Sequence, residues 1–184
     1  MVIKTVDLEA DLIERTRINL NKVEKIKTLS KKVIEFKENS DKWSALECIA
    51  HLNLYADFYN PVIKKSIENS NTKPNEKFKS GMIGNYFVKT IEPKKKLNKM
   101  KTPKDKDPSN LSFDLNQIEK FISQQKEFLE FIELSKNIDL TKTKTAISLT
   151  KLFKMRLGDT FRFLVAHNER HLMQAENAIK VYNQ

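Results

Sequence analysis

The chain has 184 residues, is 39% hydrophobic and 32% charged, and carries a formal net charge of +10. That length suits one domain with a real apolar core, which excludes wholesale disorder. Three glycines and five prolines are too few turn-formers for a many-stranded β fold, and the glycines of a phosphate-binding loop are missing, so an α-helical protein is expected.

No run approaches the roughly 20 apolar residues that span a bilayer, and Phe163 to Ala166 is typical of the longest runs. Met1 to Ala10 carries Asp7 and Glu9 and lacks the apolar block of a signal peptide. Cys48 is the single cysteine, so no internal disulfide calls for an oxidising compartment. A soluble, cytoplasmic protein is the expectation. Between Lys89 and Lys106 eight lysines stand against Glu92 and Asp105. Lysine outnumbers arginine 29 to 5, whereas a nucleic-acid groove usually wants planar, bidentate arginine as well. Beside Pro93, Pro103 and Pro108 the run reads as a solvated loop, with neither nucleic acid nor membrane as an expected partner.

Four segments carry helical periodicity. The first runs from about Asp7 to Phe36, with Leu8, Leu12, Leu20, Val23, Ile26 and Val33 stepping by three or four, and ends in the polar run Lys37–Asp41. The second starts near Trp43, with Ser40 or Asp41 as candidate N-caps, and is apolar almost all round through Phe58. Pro61 is expected to kink or break it. A connection of about residues 70–110 follows. Within it, Met82, Ile83, Tyr86, Phe87, Val88 and Ile91 suit a short helix packed on the bundle. Such a long connection is either a crossover covering one bundle end, the reading preferred here, or a lid over a site. The third helix carries Leu115, Ile118, Ile122, Gln125, Leu129 and Ile132, with Asp114 or Ser112 to cap it. Residues 139–154 hold either one helical turn or an extended loop. The fourth helix begins after Gly158-Asp159 and continues to the C-terminus. Long helices with apolar stripes pack most simply as an all-α four-helix bundle, one domain over 1–184.

The chain has three histidines. His167 and His171 are four apart on the fourth helix, which puts both imidazoles on one face about 6 Å apart along the axis. His51 lies on the most apolar helix, where an unpaired imidazole is costly to bury. A neighbouring antiparallel helix could bring it opposite the pair. The alternative is three hydrogen-bonded core histidines. Three neutral nitrogen ligands would leave coordination positions open, as catalytic sites do, and suit Zn²⁺, Ni²⁺ or Fe²⁺. This is not the zincin motif, because Asn168 rather than Glu follows His167. Glu47, Tyr55, Asn168 and Gln174 are candidates to accept an imidazole N–H, or ordinary polar residues at the core edge. Glu47 is also a weak candidate for proton transfer. Cys48 reads as a small buried hydrophobe before a ligand, and Trp43 as a packing anchor before a substrate platform.

Trp43-Ser44-Ala45-Leu46-Glu47-Cys48-Ile49-Ala50-His51-Leu52 resembles the "W-S-x-x-E-x-x-x-H-L" signature of the DinB-like superfamily, and His167-Asn168-Glu169-Arg170-His171-Leu172-Met173-Gln174 resembles its "H-x-x-R-H-x-x-Q" signature. The two stand in the right order, and the resemblance covers nearly the whole chain. It implies an up-down-down-up four-helix bundle with a long crossover between the second and third helices. It also implies a divalent metal, often nickel or zinc, on His51, His167 and His171. Relatives include bacterial thiol-dependent S-transferases, an isomerase and hydrolases, often dimeric. The resemblance therefore implies a metal-dependent enzyme that turns a small thiol or water on an electrophilic small molecule, or else a non-catalytic metal-binding bundle. The expected partners are a small-molecule substrate, a low-molecular-weight thiol and a second copy in a homodimer.

Overall fold

The computed structural model describes residues 1–94, 101–109 and 111–184, with the backbone alone at 151–152. Lys95, Lys96 and Lys99 of the lysine run lie outside the described residues, as does Asn110 at the end of the crossover. The elements in order are β1 (Val2–Lys4), α1 (Thr5–Lys27), α2 (Lys31–Ile34), α3 (Ala45–Glu68), β2 (Lys77–Lys79) and α4 (Met82–Ile91). A 3₁₀ turn at Lys104–Lys106 precedes α5 (Asn116–Leu134), a second 3₁₀ turn at Ser135–Asn137, β3 (Lys144–Ile147), β4 (Thr150–Arg156) and α6 (Leu157–Tyr182). The chain is mostly helical, as its composition requires.

Four long helices enclose the core. α3 packs against α5 and α6, and α1 packs against the same two. Their apolar faces form two clusters. One gathers Leu8, Leu12, Tyr59, Ile63, Phe128 and Phe161. The other gathers Val23, Ile26, Ile49, Phe121, Ile122 and Leu172. Each fully buried side chain of this size contributes about 1.5–3 kcal/mol. Between the clusters the stripes turn polar: Thr16 and Asn19 on α1, Gln125 on α5, and His167 and Asn168 on α6 are all buried. Asn168 donates to Gln125 Oε1 at 2.9 Å across this band. The band is where the core is weakest in apolar terms and richest in chemistry.

The helix boundaries correct several expectations. The first helix ends at Lys27, nine residues before Phe36. Thr28 donates its hydroxyl to the Lys25 carbonyl at 2.8 Å, Ser30 is extended, and the chain restarts as α2, whose Ile34 is buried in the second cluster. α3 is capped by Ser44, not by Ser40 or Asp41. Its hydroxyl accepts from the Glu47 amide at 3.1 Å, while Glu47 Oε2 accepts from the Ser44 amide at 2.8 Å. This reciprocal capping box satisfies two amides that the first turn leaves orphaned. α3 does not break at Pro61 but continues to Glu68. Pro61 lies on the exposed face, where a carbonyl deprived of its amide can turn to water. Asp114 does serve α5, accepting from the Asn116 amide at 3.0 Å.

Two small antiparallel sheets complete the fold: β1 pairs with β2, and β3 with β4. The second sheet replaces the helical turn or loop considered for residues 139–154. α4 forms as expected within the crossover and packs on α6. The contact is close, because a Cβ on Gly84 would fall 2.5 Å from the Asp159 carboxylate. Asp159 is fully buried and accepts from Ser80 Oγ, the Gly81 amide and Arg162, which fastens the start of α4 to the first turn of α6.

Candidate metal centre

α3 and α6 present His51, His167 and His171 to one another at the level of the polar band. All three are buried, and one ring nitrogen from each lies within 4.8 Å of the others. His51 Nε2 and His167 Nε2 are 3.3 Å apart. The ring centroids are separated by 5.1 Å for His51–His167, 4.3 Å for His51–His171 and 4.6 Å for His167–His171. The i,i+4 spacing on α6 and the packing of α3 against it do bring the three together.

His51 has a fixed tautomer. Its Nδ1 lies 2.7 Å from the backbone carbonyl of Lys106, which can only accept, so Nδ1 carries the proton and Nε2 keeps its lone pair. This pairing comes from the crossover. Lys106 also donates its ammonium to the Leu54 carbonyl at 3.1 Å, and Trp43 donates Nε1–H to Ser109 Oγ at 2.9 Å. The segment 104–109 is thus tied down over the triad, so the crossover covers the site and not merely one bundle end.

Burial lowers the His51 pKa to about 4, with the Lys106 hydrogen bond and the Asp107 charge opposing. Burial and mutual proximity hold His167 and His171 well below the ordinary imidazole range. All three are neutral at pH 7. Among the described residues His167 Nδ1 is buried without a hydrogen-bond partner, a condition that costs about 1–3 kcal/mol, and His171 Nδ1 has only the nearby Gln174, in a geometry short of a good hydrogen bond. His167 Nε2–H can donate to His51 Nε2 across the 3.3 Å contact, while a cation would instead take one lone pair from each of the three rings. Two nitrogens bound tetrahedrally to an ion at about 2.05 Å stand about 3.3 Å apart, which matches the His51–His167 separation. The residues present fit a divalent metal.

Aromatic rings wall the triad. Trp43 lies against His171 and His51 with ring centroids 5.7 and 4.9 Å away. Tyr55 lies 4.3 Å from His167, and Phe163 stacks on it at 5.6 Å. Burial pushes the Tyr55 hydroxyl up to about 12, so it stays protonated. Trp43 is therefore both a packing anchor and a wall of the site.

The other expected neighbours fare differently. Glu47 does not reach an imidazole, for its carboxylate closes the capping box and accepts from Lys37 at 2.9 Å. Asn168 bonds to Gln125 instead of a ring. Gln174 Oε1 is buried beside His171 with no completed hydrogen bond. Cys48 packs in the second cluster with its thiol pushed far up by burial, as expected of a small hydrophobe. Sequence reasoning missed Lys106 as the partner of His51. No residue-type signal could have found it, since the accepting group is a backbone carbonyl.

A helical bundle with three buried, mutually facing histidines in a polar mid-layer defines a class of bundle proteins that could hold a metal ion. A family model of the DinB superfamily matches residues 12–175, and the chain belongs to that superfamily. Neither the curated proteins nor the solved structures give a match.

Proposed function

We propose that the chain is a divalent-metal-dependent enzyme that turns a small thiol or a water on an electrophilic small molecule, with His51, His167 and His171 as the metal ligands. The observation that carries this reading is the set of three neutral imidazoles with ring nitrogens within 4.8 Å, inside a buried aromatic wall. Three protein ligands leave a coordination position open. A metal bound there would favour the deprotonated thiol or water, and zinc or nickel, with iron as a third option, suits nitrogen ligation. The chain's own part is to fix the His51 tautomer through Lys106, to exclude bulk water with Trp43 and the crossover, and to keep the imidazoles unprotonated. Glu47 remains a weak candidate for proton transfer, and would have to leave its capping box to act. The cluster order supports the up-down-down-up arrangement: along α1 and α6 the chain passes from the first cluster to the second, and along α3 and α5 it returns.

The test is elemental analysis of protein purified without chelating resin and then given limiting Zn²⁺ or Ni²⁺, followed by a screen of thiol and electrophile pairs. About one equivalent of metal, lost in His51→Ala, together with turnover abolished in His167→Ala, is the expected result. A chain that stays free of both metals overturns the reading. The second reading is a metal-stabilised bundle without catalysis. It draws support from the near-complete burial of the triad, 2%, 3% and 8% exposed for His51, His167 and His171. Metal uptake with no turnover and a large loss of stability in His167→Ala would favour it.

A further inference from the structure

α4 buries one edge and exposes another that is equally apolar. Gly84, Val88 and Ile91 face inward. Met82, Ile83 and Tyr86 face outward at 91%, 55% and 66% exposure. β4 runs beside α4. It brings Phe153, 55% exposed, and follows Leu149 at the hairpin tip, 57% exposed. Arg156 ties the two elements, donating to the Lys79 carbonyl and lying against Gly81 at the start of α4.

The charge around these side chains is mainly of one sign. Residues 77–91 and 140–158 hold eight basic residues and no acidic one, and the four residues that bound them, Glu76, Glu92, Asp139 and Asp159, bring the net charge of 76–92 and 139–159 to +4. Lys77, Lys79, Lys89, Lys142, Lys144 and Lys154 are all exposed. Of the four bounding acids Glu76 and Glu92 are exposed, whereas Asp139 and Asp159 are buried and hydrogen-bonded.

We propose that the face built by α4 and the β3–β4 hairpin docks on the surface of an anionic lipid bilayer, with Met82, Ile83, Tyr86 and Phe153 seated at the headgroup boundary and the lysines over the anionic headgroups. Protruding apolar side chains among an excess of exposed basic ones is the pattern of interfacial attachment. A second copy of this chain would have to bring the same basic face against itself, or find an acidic counterpart elsewhere. A single-stranded nucleic acid could stack on Tyr86 and Phe153 but would also ask for free arginine, and Arg156, the one arginine of this face, is engaged with Lys79. Attachment of this kind needs no spanning segment. It revises the expectation of no membrane partner, which rested on the absence of such a segment.

The test is co-sedimentation of the full chain with vesicles of neutral phosphatidylcholine, or of phosphatidylcholine with about one-third phosphatidylglycerol, at low and physiological salt. At least tenfold greater retention on the anionic vesicles is expected. Retention should fall roughly fivefold for each lysine neutralised, Lys79→Gln or Lys154→Gln. It should also fall severalfold in Ile83→Ser/Tyr86→Ser, whose exposed sites leave the helix content unchanged by circular dichroism. No retention on anionic vesicles at low salt overturns the proposal. So does retention that Ile83→Ser/Tyr86→Ser leaves undiminished, which would mean general attraction to a basic protein. A single-stranded oligonucleotide bound in place of vesicles, or a dimer that the same variant dissociates, would assign the face to nucleic acid or to a second copy and equally overturn it.

Discussion

His51 and Lys106 lie 55 positions apart, yet the imidazole Nδ1–H of one meets the backbone carbonyl of the other at 2.7 Å. One hydrogen bond thus couples α3 to the crossover and decides which nitrogen of His51 faces His167. A carbonyl acceptor leaves the lone pair on Nε2, the atom 3.3 Å from His167 Nε2. Replacing His51 by Ala should remove that lone pair and reduce Zn²⁺ or Ni²⁺ binding by at least about a hundredfold. Replacing Trp43 by Phe, which loses the bond to Ser109 but keeps a ring against the triad, should weaken binding far less. Equilibrium dialysis with a competing chelator measures both, and equal losses would mean that the crossover matters as much as the ligands.

The pH dependence of the metal-free protein follows from burial. His51 is held at about 4, and His167 and His171 well below the ordinary value. In the unfolded chain all three titrate near 6.5. Between those limits the unfolded state binds more protons, so lowering the pH favours unfolding. The contribution is fully present above about pH 6.5 and is lost as the pH falls toward the folded values. For His51 alone the loss is on the order of 3 kcal/mol. Urea midpoints at about pH 7, 5.5 and 4 should fall steeply, and less so in His51→Phe. A midpoint that stays level across this range would show that the histidines are not buried in neutral form.

Glu47 separates a structural from a chemical role. Its two carboxylate oxygens accept from Lys37 and from the Ser44 amide, at the start of the helix that carries His51. Glu47→Ala should cost about 1 kcal/mol through loss of the capping box. Glu47→Gln, which can still accept from the Ser44 amide, should cost less. Metal content should be unchanged in both. If a substrate is found and Glu47→Gln abolishes its turnover at full metal loading and normal stability, proton transfer by Glu47 gains over capping.

The sequence made the triad legible because spacing on a helix maps directly onto a face. His167 and His171 must share one, and a polar ring on an apolar helix such as His51 must find company. The Ser44–Glu47 box was legible too, since Ser-x-x-Glu before an apolar run is its signature. The expectation of a cap at Ser40 or Asp41 passes over it. The β3–β4 hairpin was not legible. Its turn contains Ser148 and Leu149 instead of Gly or Asn, and its strands are rich in lysine and threonine with little alternation. Nor could periodicity end the first helix at Lys27, because Leu29 and Ile34 continue the apolar spacing and still reach the core after the turn. The closure of segment 104–109 over the histidines depends on backbone groups, which composition does not encode.

α6 meets α4 at Gly84 and β2 at Gly158, two glycines that give no room. A Cβ at Gly84 would stand 2.5–2.6 Å from Asp159 side-chain atoms, and one at Gly158 would stand 2.4 Å from the Phe78 ring. Asp159 cannot step aside cheaply. It is fully buried, and its oxygens accept from Ser80, Gly81 and Arg162. Phe78, the central residue of β2 and also fully buried, sits in the first cluster. Gly84→Ala should therefore destabilise the protein by about 1–3 kcal/mol, through overpacking and a disturbed buried carboxylate. Asp159→Asn should cost a comparable amount, because it keeps the volume but weakens the bond to Arg162. The double variant should cost less than the sum, since both act on one contact. Thermal unfolding of the four proteins measures the cycle, and strict additivity would mean that Gly84 is not held by Asp159. Metal uptake by the folded fraction should be unaffected, because the histidines lie in the polar band two helical turns and more beyond Asp159 along α6.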